Sequence, residues 1–281
     1  LVAALKTMDE AAVATAAAAL QEARAGQMGL FGRGLTRLAV VPKRARDSSA
    51  WPCAATIVLP MKTFRIAVIG AGPVGLALAL LVARQLPGAQ ITLFDARPAE
   101  RDVSADPRTL ALSLGSIQLL ERLEAWDTSH AEPIREVWVS QQSPVLAVPS
   151  WLGEPQVRLA ASDLAVPMLG AVLSYGALVA PMQRAWEAVV AREPSRLISR
   201  FGTPVDALKD LIDGVEVDAG VAEAFDVAVV AEGGVFSEQK ALADLSSDYR
   251  QDAWVGTVTQ GGGRPGLAVE RFTRRGPAAL L

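Results

Sequence analysis

The sequence predicts an α/β protein built on a Rossmann-like parallel sheet. Three observations carry this. An apolar strand at 66–69 enters a G-x-G-x-x-G turn, Gly70-Ala71-Gly72-Pro73-Val74-Gly75, which opens an apolar helix. A second apolar strand, 90–95, ends in Asp95, twenty residues after Gly75. Further along, 225–231 reads as a short buried strand that ends at Glu232 and Gly233.

The first unit has the makings of a dinucleotide-binding βαβ. Gly70 allows the tight turn, and Gly72 lacks the Cβ that would keep a pyrophosphate from the backbone. Gly75 lets the helix pack closely on the strand. Pro73 and Val74 begin the helix, whose N-terminal N–H groups and dipole favour phosphate. Asp95 is placed to accept from a ribose. Residues 66–83 contain eighteen positions without a polar side chain, the length of a membrane span. Three glycines and Pro73 break that run, and buried parallel strands also read as continuous apolar stretches. Strand, turn and helix are therefore expected here, and no other segment qualifies as a span.

After Asp95, residues 96–100 read as a loop. The stretch 106–113 leads into a helix at 114–126 with helical apolar spacing, and 135–140 alternates like a strand. An irregular region, 141–167, precedes a short apolar segment at 168–175 and a helix near 178–191. Strands are expected around 204–211, 215–218 and 225–231. Residues 253–259 and 267–273 read as two strands joined by the turn at 261–265, and the closing run to Leu281 as the start of another strand.

Residues 1–60 differ in character. They are alanine-rich, then glycine-rich and basic, with seven Lys/Arg against four Asp/Glu. Asp9, Glu10 and Glu22 fit a targeting peptide poorly. A helical interaction arm is a second reading. The reading adopted is sequence upstream of a natural start at Met61, so that 1–60 is an extension outside the fold and 61–281 carries it.

Composition narrows function. The chain has 281 residues, 51% of them hydrophobic, enough for a sizeable core. Net charge is −3, and nothing in it suggests nucleic acid. The single cysteine, Cys53, excludes an internal disulfide and a cysteine-based metal site. His130, the only histidine, removes multi-histidine metal sites and reads as a solvated loop residue. The cluster from Lys43 to Arg46 reads as a solvated run, and Tyr175 as packing. No residue stands out as a catalytic acid or base.

Several separated motifs point further. They are Asp106-Pro107-Arg108-Thr109-Leu110-Ala111-Leu112-Ser113, Ser174-Tyr175-Gly176-Ala177-Leu178-Val179, Asp248-Tyr249-Arg250-Gln251 and Glu270-Arg271-Phe272-Thr273. With the glycine fingerprint and Ala231-Glu232-Gly233, they follow the order found in group A flavoprotein monooxygenases. Within that family, residues 62–281 resemble the ubiquinone-biosynthesis hydroxylases.

The resemblance implies a parallel FAD-binding sheet interleaved with part of a mixed β-sheet substrate domain. It implies FAD as cofactor, NADPH or NADH as transient reductant, and transfer of one oxygen from O2 to a polyprenylated aromatic ring. The implied partners are that polyprenyl-phenol, O2 and a ubiquinone-biosynthesis protein complex. The implied location is cytoplasmic, peripheral at the inner face of the membrane. By position, Gly70, Gly72, Pro73, Val74 and Gly75 would hold the pyrophosphate and Asp95 the adenosine ribose. Arg108 would lie along the cofactor, and Glu232 and Gly233 would occupy the family's Asp-Gly position.

Departures accompany the likeness. Glu232 replaces the family's Asp, and the stretch from Gln141 lacks a glycine- and histidine-containing segment. The chain ends before the family's later Gly-Asp motif, so this chain alone is expected to bind FAD weakly or not at all. Two other readings stay open: an NAD(P)-dependent dehydrogenase on the same βαβ unit, and a non-catalytic remnant.

Overall fold

The computed structural model describes residues 2–4, 63–142, 154–232, 254–259 and 261–281. Its strands and helices run in the order β1 (Val2–Ala4), β2 (Phe64–Ile69), α1 (Pro73–Gln85), β3 (Ala89–Asp95), β4 (Thr109–Ser113), α2 (Leu114–Arg122), β5 (Glu132–Ile134), β6 (Glu136–Gln141), β7 (Gln156–Ala160), β8 (Gly170–Ser174) and α3 (Tyr175–Arg192). Then come β9 (Leu197–Phe201), β10 (Ala207–Leu211), β11 (Gly214–Asp218), β12 (Ala222–Phe225), β13 (Val227–Val230), β14 (Leu267–Thr273) and β15 (Gly276–Leu280).

The central sheet has the order β1-β13-β2-β3-β9, and every pairing in it is parallel. Parallel strands are buried on both faces, which is why 66–69 and 227–230 are apolar without alternation. On one face, Ile66 and Val68 of β2 pack with Leu76 and Leu80 of α1, Leu120 of α2, and Met182 and Trp186 of α3. On the other, Ala67, Ile69 and Phe94 meet Val215, Val217 and Phe225. Those last three come from an antiparallel meander, β10-β11-β12. The layers are therefore helices, parallel sheet and meander.

Two smaller sheets complete the α/β architecture. An antiparallel three-stranded sheet has the order β4-β8-β5. A mixed sheet has the order β15-β14-β6-β7, in which β14 and β6 run parallel. One face of it carries Val157, Leu159 and Phe272, all exposed.

Several boundaries differ from the sequence reading. α2 stops at Arg122 because Glu124 takes a left-handed backbone, φ 57°, and Ala125 N–H turns back to the Leu120 carbonyl. The run 225–231 divides at Asp226, whose Oδ2 accepts from the Arg65 backbone N–H at 2.7 Å. That bond turns the chain from meander into central sheet. Several strands were not anticipated: β4 inside the Asp106–Ser113 motif, β7 inside the irregular region, β5 and β9 in stretches given no element, and β1, which lies within the 1–60 stretch read as an extension outside the fold and pairs with β13. Residues 254–259 carry no strand; β14 instead forms a hairpin with β15 and lies beside β6. The apolar run at 66–83 is split between β2 and α1, and no helix among the described residues is long and apolar enough to cross a membrane.

Candidate nucleotide cleft at the strand ends

Parallel sheets bind ligands beyond the carboxyl ends of their strands. Here β2, β3 and β13 end side by side. Gly70, Gly72, Asp95, Ala96, Arg97, Ala231 and Glu232 come together there with Tyr175, the first residue of α3. They line a cleft of about 170 Å³. A larger shallow groove, about 290 Å³, lies between the 99–104 loop and α3. It holds mixed charge from Arg101, Asp102, Arg184 and Glu187 but no strand end, so the cleft is the candidate site.

The three fingerprint glycines have different reasons to be glycine. Gly70 has φ 103°, and a Cβ on it would lie 2.9 Å from the Ala231 and Glu232 backbone. A Cβ on Gly75 would fall 1.8 Å from the Gly70 carbonyl oxygen. Both are demanded by the protein's own packing. Gly72 is not: its φ is −76°, and a Cβ there would meet only the Tyr175 hydroxyl, at 3.5 Å. The space at Gly72 faces the cleft. Gly72 is also the N-cap of α1 and supplies no side-chain cap, while Pro73 fills the first turn without needing a partner for an N–H. Val74 packs into the core.

Asp95 ends β3 nearly buried, at 7% exposure. Its Oδ2 accepts from the Ala71 N–H at 2.6 Å, and its Oδ1 from the Arg97 backbone N–H at 2.7 Å. The Arg97 guanidinium forks onto the same carboxylate, at 2.9 Å through Nε and 3.0 Å through Nη2. Nη2 also donates to the Ala71 carbonyl at 2.7 Å.

Arg108 stands at the rim. Its guanidinium lies 4.3 Å from the Tyr175 ring centre and pairs with Asp106 at 2.7 Å. That hydrogen bond holds the Asp106 carboxyl below its ordinary range. The segment is fixed by its backbone, since the Arg108 and Asp106 carbonyls accept from the N–H groups of Tyr175 and Gly176. Glu232 is the contrasting acid. Its carboxyl is pushed up, first by burial and then by the negative charge of Asp95. Gly233 and the Asp248–Gln251 motif lie outside the described residues, as do Lys43, Arg46 and Cys53.

No family model matches the chain. Solved structures to which this chain is similar include p-nitrophenol 4-monooxygenase PnpA from Pseudomonas putida DLL-E4. It is 17% identical, covers 63% of this chain and 43% of its own, and gives a TM-score of 0.43. Klebsiella pneumoniae HpxO complexed with FAD and uric acid is 15% identical, with coverages of 59% and 38% and a TM-score of 0.40. Tetracycline destructase Tet(51) is 16% identical, with coverages of 63% and 42% and a TM-score of 0.40. The chain thus spans about two fifths of the length of each of these structures.

Of the residues singled out in the sequence, the fold gathers Gly70, Gly72, Asp95 and Glu232 around one opening, with Arg108 stacked on Tyr175 at its edge. Arg97 and the cleft-lining role of Tyr175 were missed. Arg97 carried a signal: a strand-ending Asp often accepts from the backbone N–H two residues on. Tyr175 carried none, because its approach to Gly72 depends on how α3 meets the sheet.

The site fits a dinucleotide. It offers an uncapped helix start, an open face at Gly72, and two guanidinium groups, Arg97 in the cleft lining and Arg108 stacked on Tyr175.

Proposed function

We propose that this chain is the nucleotide-binding part of an FAD-dependent monooxygenase. The observation that carries the reading is the vacant side-chain position at Gly72, which the protein's own packing does not require and which opens on the start of α1. The reading takes Gly70, Gly72, Pro73, Val74 and Gly75 as the pyrophosphate turn, Arg108 as a rim cation, and Glu232 with Gly233 as the closing side. FAD, when bound, supplies the redox chemistry and oxygen activation. The protein's residues orient the phosphates through backbone N–H groups and balance their charge.

The finer reading is hydroxylation of a polyprenylated phenol in ubiquinone biosynthesis, with NADPH or NADH as reductant. It is supported by the resemblance of the motifs at 106–113, 174–179 and 270–273. The exposed Val157, Leu159 and Phe272 face of the mixed sheet would also suit an apolar substrate. A working site of this kind acts at a membrane surface, within a complex that hands on its apolar product.

The decisive experiment is titration of the protein with FAD and with NAD, followed by flavin absorbance and thermal unfolding. For this chain alone, stabilisation by FAD is expected to be weak but greater than that by NAD; NAD(P)H consumption that a polyprenyl-phenol accelerates, with labelled oxygen passing from O2 to the ring, is expected of a chain that also carries the family's later Gly-Asp motif. Stabilisation by NAD with no response to FAD would instead favour a dehydrogenase. A clear stabilisation by FAD would count against a non-catalytic remnant.

A further inference from the structure

The acid that ends β3 is committed inside the protein. A carboxylate offers about four acceptor positions. In Asp95 all four are taken: by the N–H of Ala71, the N–H of Arg97, and the Nε and Nη2 of the same arginine. Arg97 is itself held in place. Its carbonyl accepts from Gly202 N–H at 2.7 Å, and Thr203 N–H donates to the Asp95 carbonyl at 3.0 Å. The pair holds one residue of the glycine turn through both of its flanking peptides. Asp95 takes the Ala71 N–H, and Arg97 takes the Ala71 carbonyl. Ala71 lies between Gly70, whose φ of 103° must be maintained, and Gly72, the open position.

Resting on the nucleotide reading of the cleft, we propose that Arg97 is a positioning residue that reserves Asp95 for shaping the glycine turn, so that Asp95 does not bind the ligand's ribose. A ribose hydroxyl reaching Asp95 would have to displace a forked, charge-assisted contact that is already formed. The nearby Glu232 is in the opposite condition. It makes no hydrogen bond or ion pair among the described residues, and it lines the same opening.

The test uses the whole chain and three probes: ADP, 2′-deoxy-ADP and 2′,3′-dideoxy-ADP, titrated by calorimetry. In the wild type, the three bind within about threefold of one another, because Asp95 has no acceptor position left for the ribose. Asp95→Asn weakens all three by similar factors, since the turn loses its anchor. Arg97→Ala exposes the carboxylate, and a preference for ADP over the dideoxy probe of about tenfold appears. Arg97→Lys, which keeps the charge but cannot fork, falls between the two.

Wild-type protein that prefers ADP to the dideoxy probe by tenfold or more overturns the assignment and leaves the nucleotide reading standing. So does an Asp95→Asn loss confined to ADP. Wild-type protein that binds none of the probes overturns both. The wild-type comparison is decisive by itself if either variant fails to fold.

Discussion

Glycine at 70, 72 and 75 looks uniform in sequence and is not uniform in space. Gly75→Ala would drive a methyl into the Gly70 carbonyl, at 1.8 Å, between a strand and helix that have no room to part. A loss of about 2–3 kcal/mol is expected in chemical denaturation. Gly72→Ala meets only the Tyr175 hydroxyl at 3.5 Å, at an ordinary φ. Its stability should stay within about 0.5 kcal/mol of wild type, while ADP affinity falls at least about tenfold. Equal effects of the two substitutions on stability would contradict the division drawn between them.

Glu232 gives a second residue-scale prediction. Its folded pKa is raised, by burial first and by Asp95 second. The stability tied to its proton is complete below the unfolded carboxylate range and is lost as pH climbs through the folded value. Glu232→Gln should therefore raise Tm at pH 7–8, by on the order of 1 °C given the group's partial exposure. The gain should vanish below about pH 4. A Tm difference that does not change between those conditions would rule out the ionised carboxylate as its source.

At the scale of elements, the meander is tied to the central sheet by charge as well as by apolar contact. Glu223 of β12 accepts from Arg65 of β2 at 3.1 Å and pairs with Arg200 of β9. The Arg200 hydrogen bond is the main cause holding the Glu223 carboxyl below its ordinary range; Arg65 adds to it. A depressed pKa stabilises above the unfolded value, and that stability is lost as pH falls through the folded one. Glu223→Gln should cost about 1 kcal/mol at pH 7, discounted for partial exposure. The cost should shrink when denaturation is repeated in acid. A cost that is unchanged across that range would assign the effect to packing.

For the molecule as a whole, a single sheet serves two cores. Leu78 lies in the helical layer and Val217 in the meander, both essentially without solvent contact. Each core is built on alternate residues of the same β2, so neither layer can be lost while the other keeps its support. Leu78→Ala should cost about 2–5 kcal/mol and Val217→Ala somewhat less. Each variant should still unfold in one transition, with circular dichroism and the fluorescence of buried Trp186 coinciding. Separate transitions in either variant would show that the layers fold independently.

The βαβ unit was legible in the sequence because its determinants are local. A strand, a turn that needs Gly70 and Gly75, a helix start and an acid at fixed spacing all lie within 66–95. The buried strand at 225–231 was legible for the related reason that two-sided burial leaves an apolar run. What the sequence did not disclose was non-local. β4 and β7 became strands by pairing with β8 and β6, and β14 found its neighbours in β6 and β15 and not in residues 253–259. Half-exposed strands at such edges carry little periodicity of their own.

The site divided in the same way. Sequence spacing alone brought Gly70, Gly72 and Asp95 to the strand ends. Only the tertiary structure set Tyr175 against Gly72, stacked Arg108 on that ring and left Glu232, among the described residues, without a hydrogen-bond partner beside Asp95. It also turned Asp95 inward through Arg97. A residue's type and place along the chain fix what it can bond. Which of those bonds the protein itself uses is decided by what the fold brings within reach.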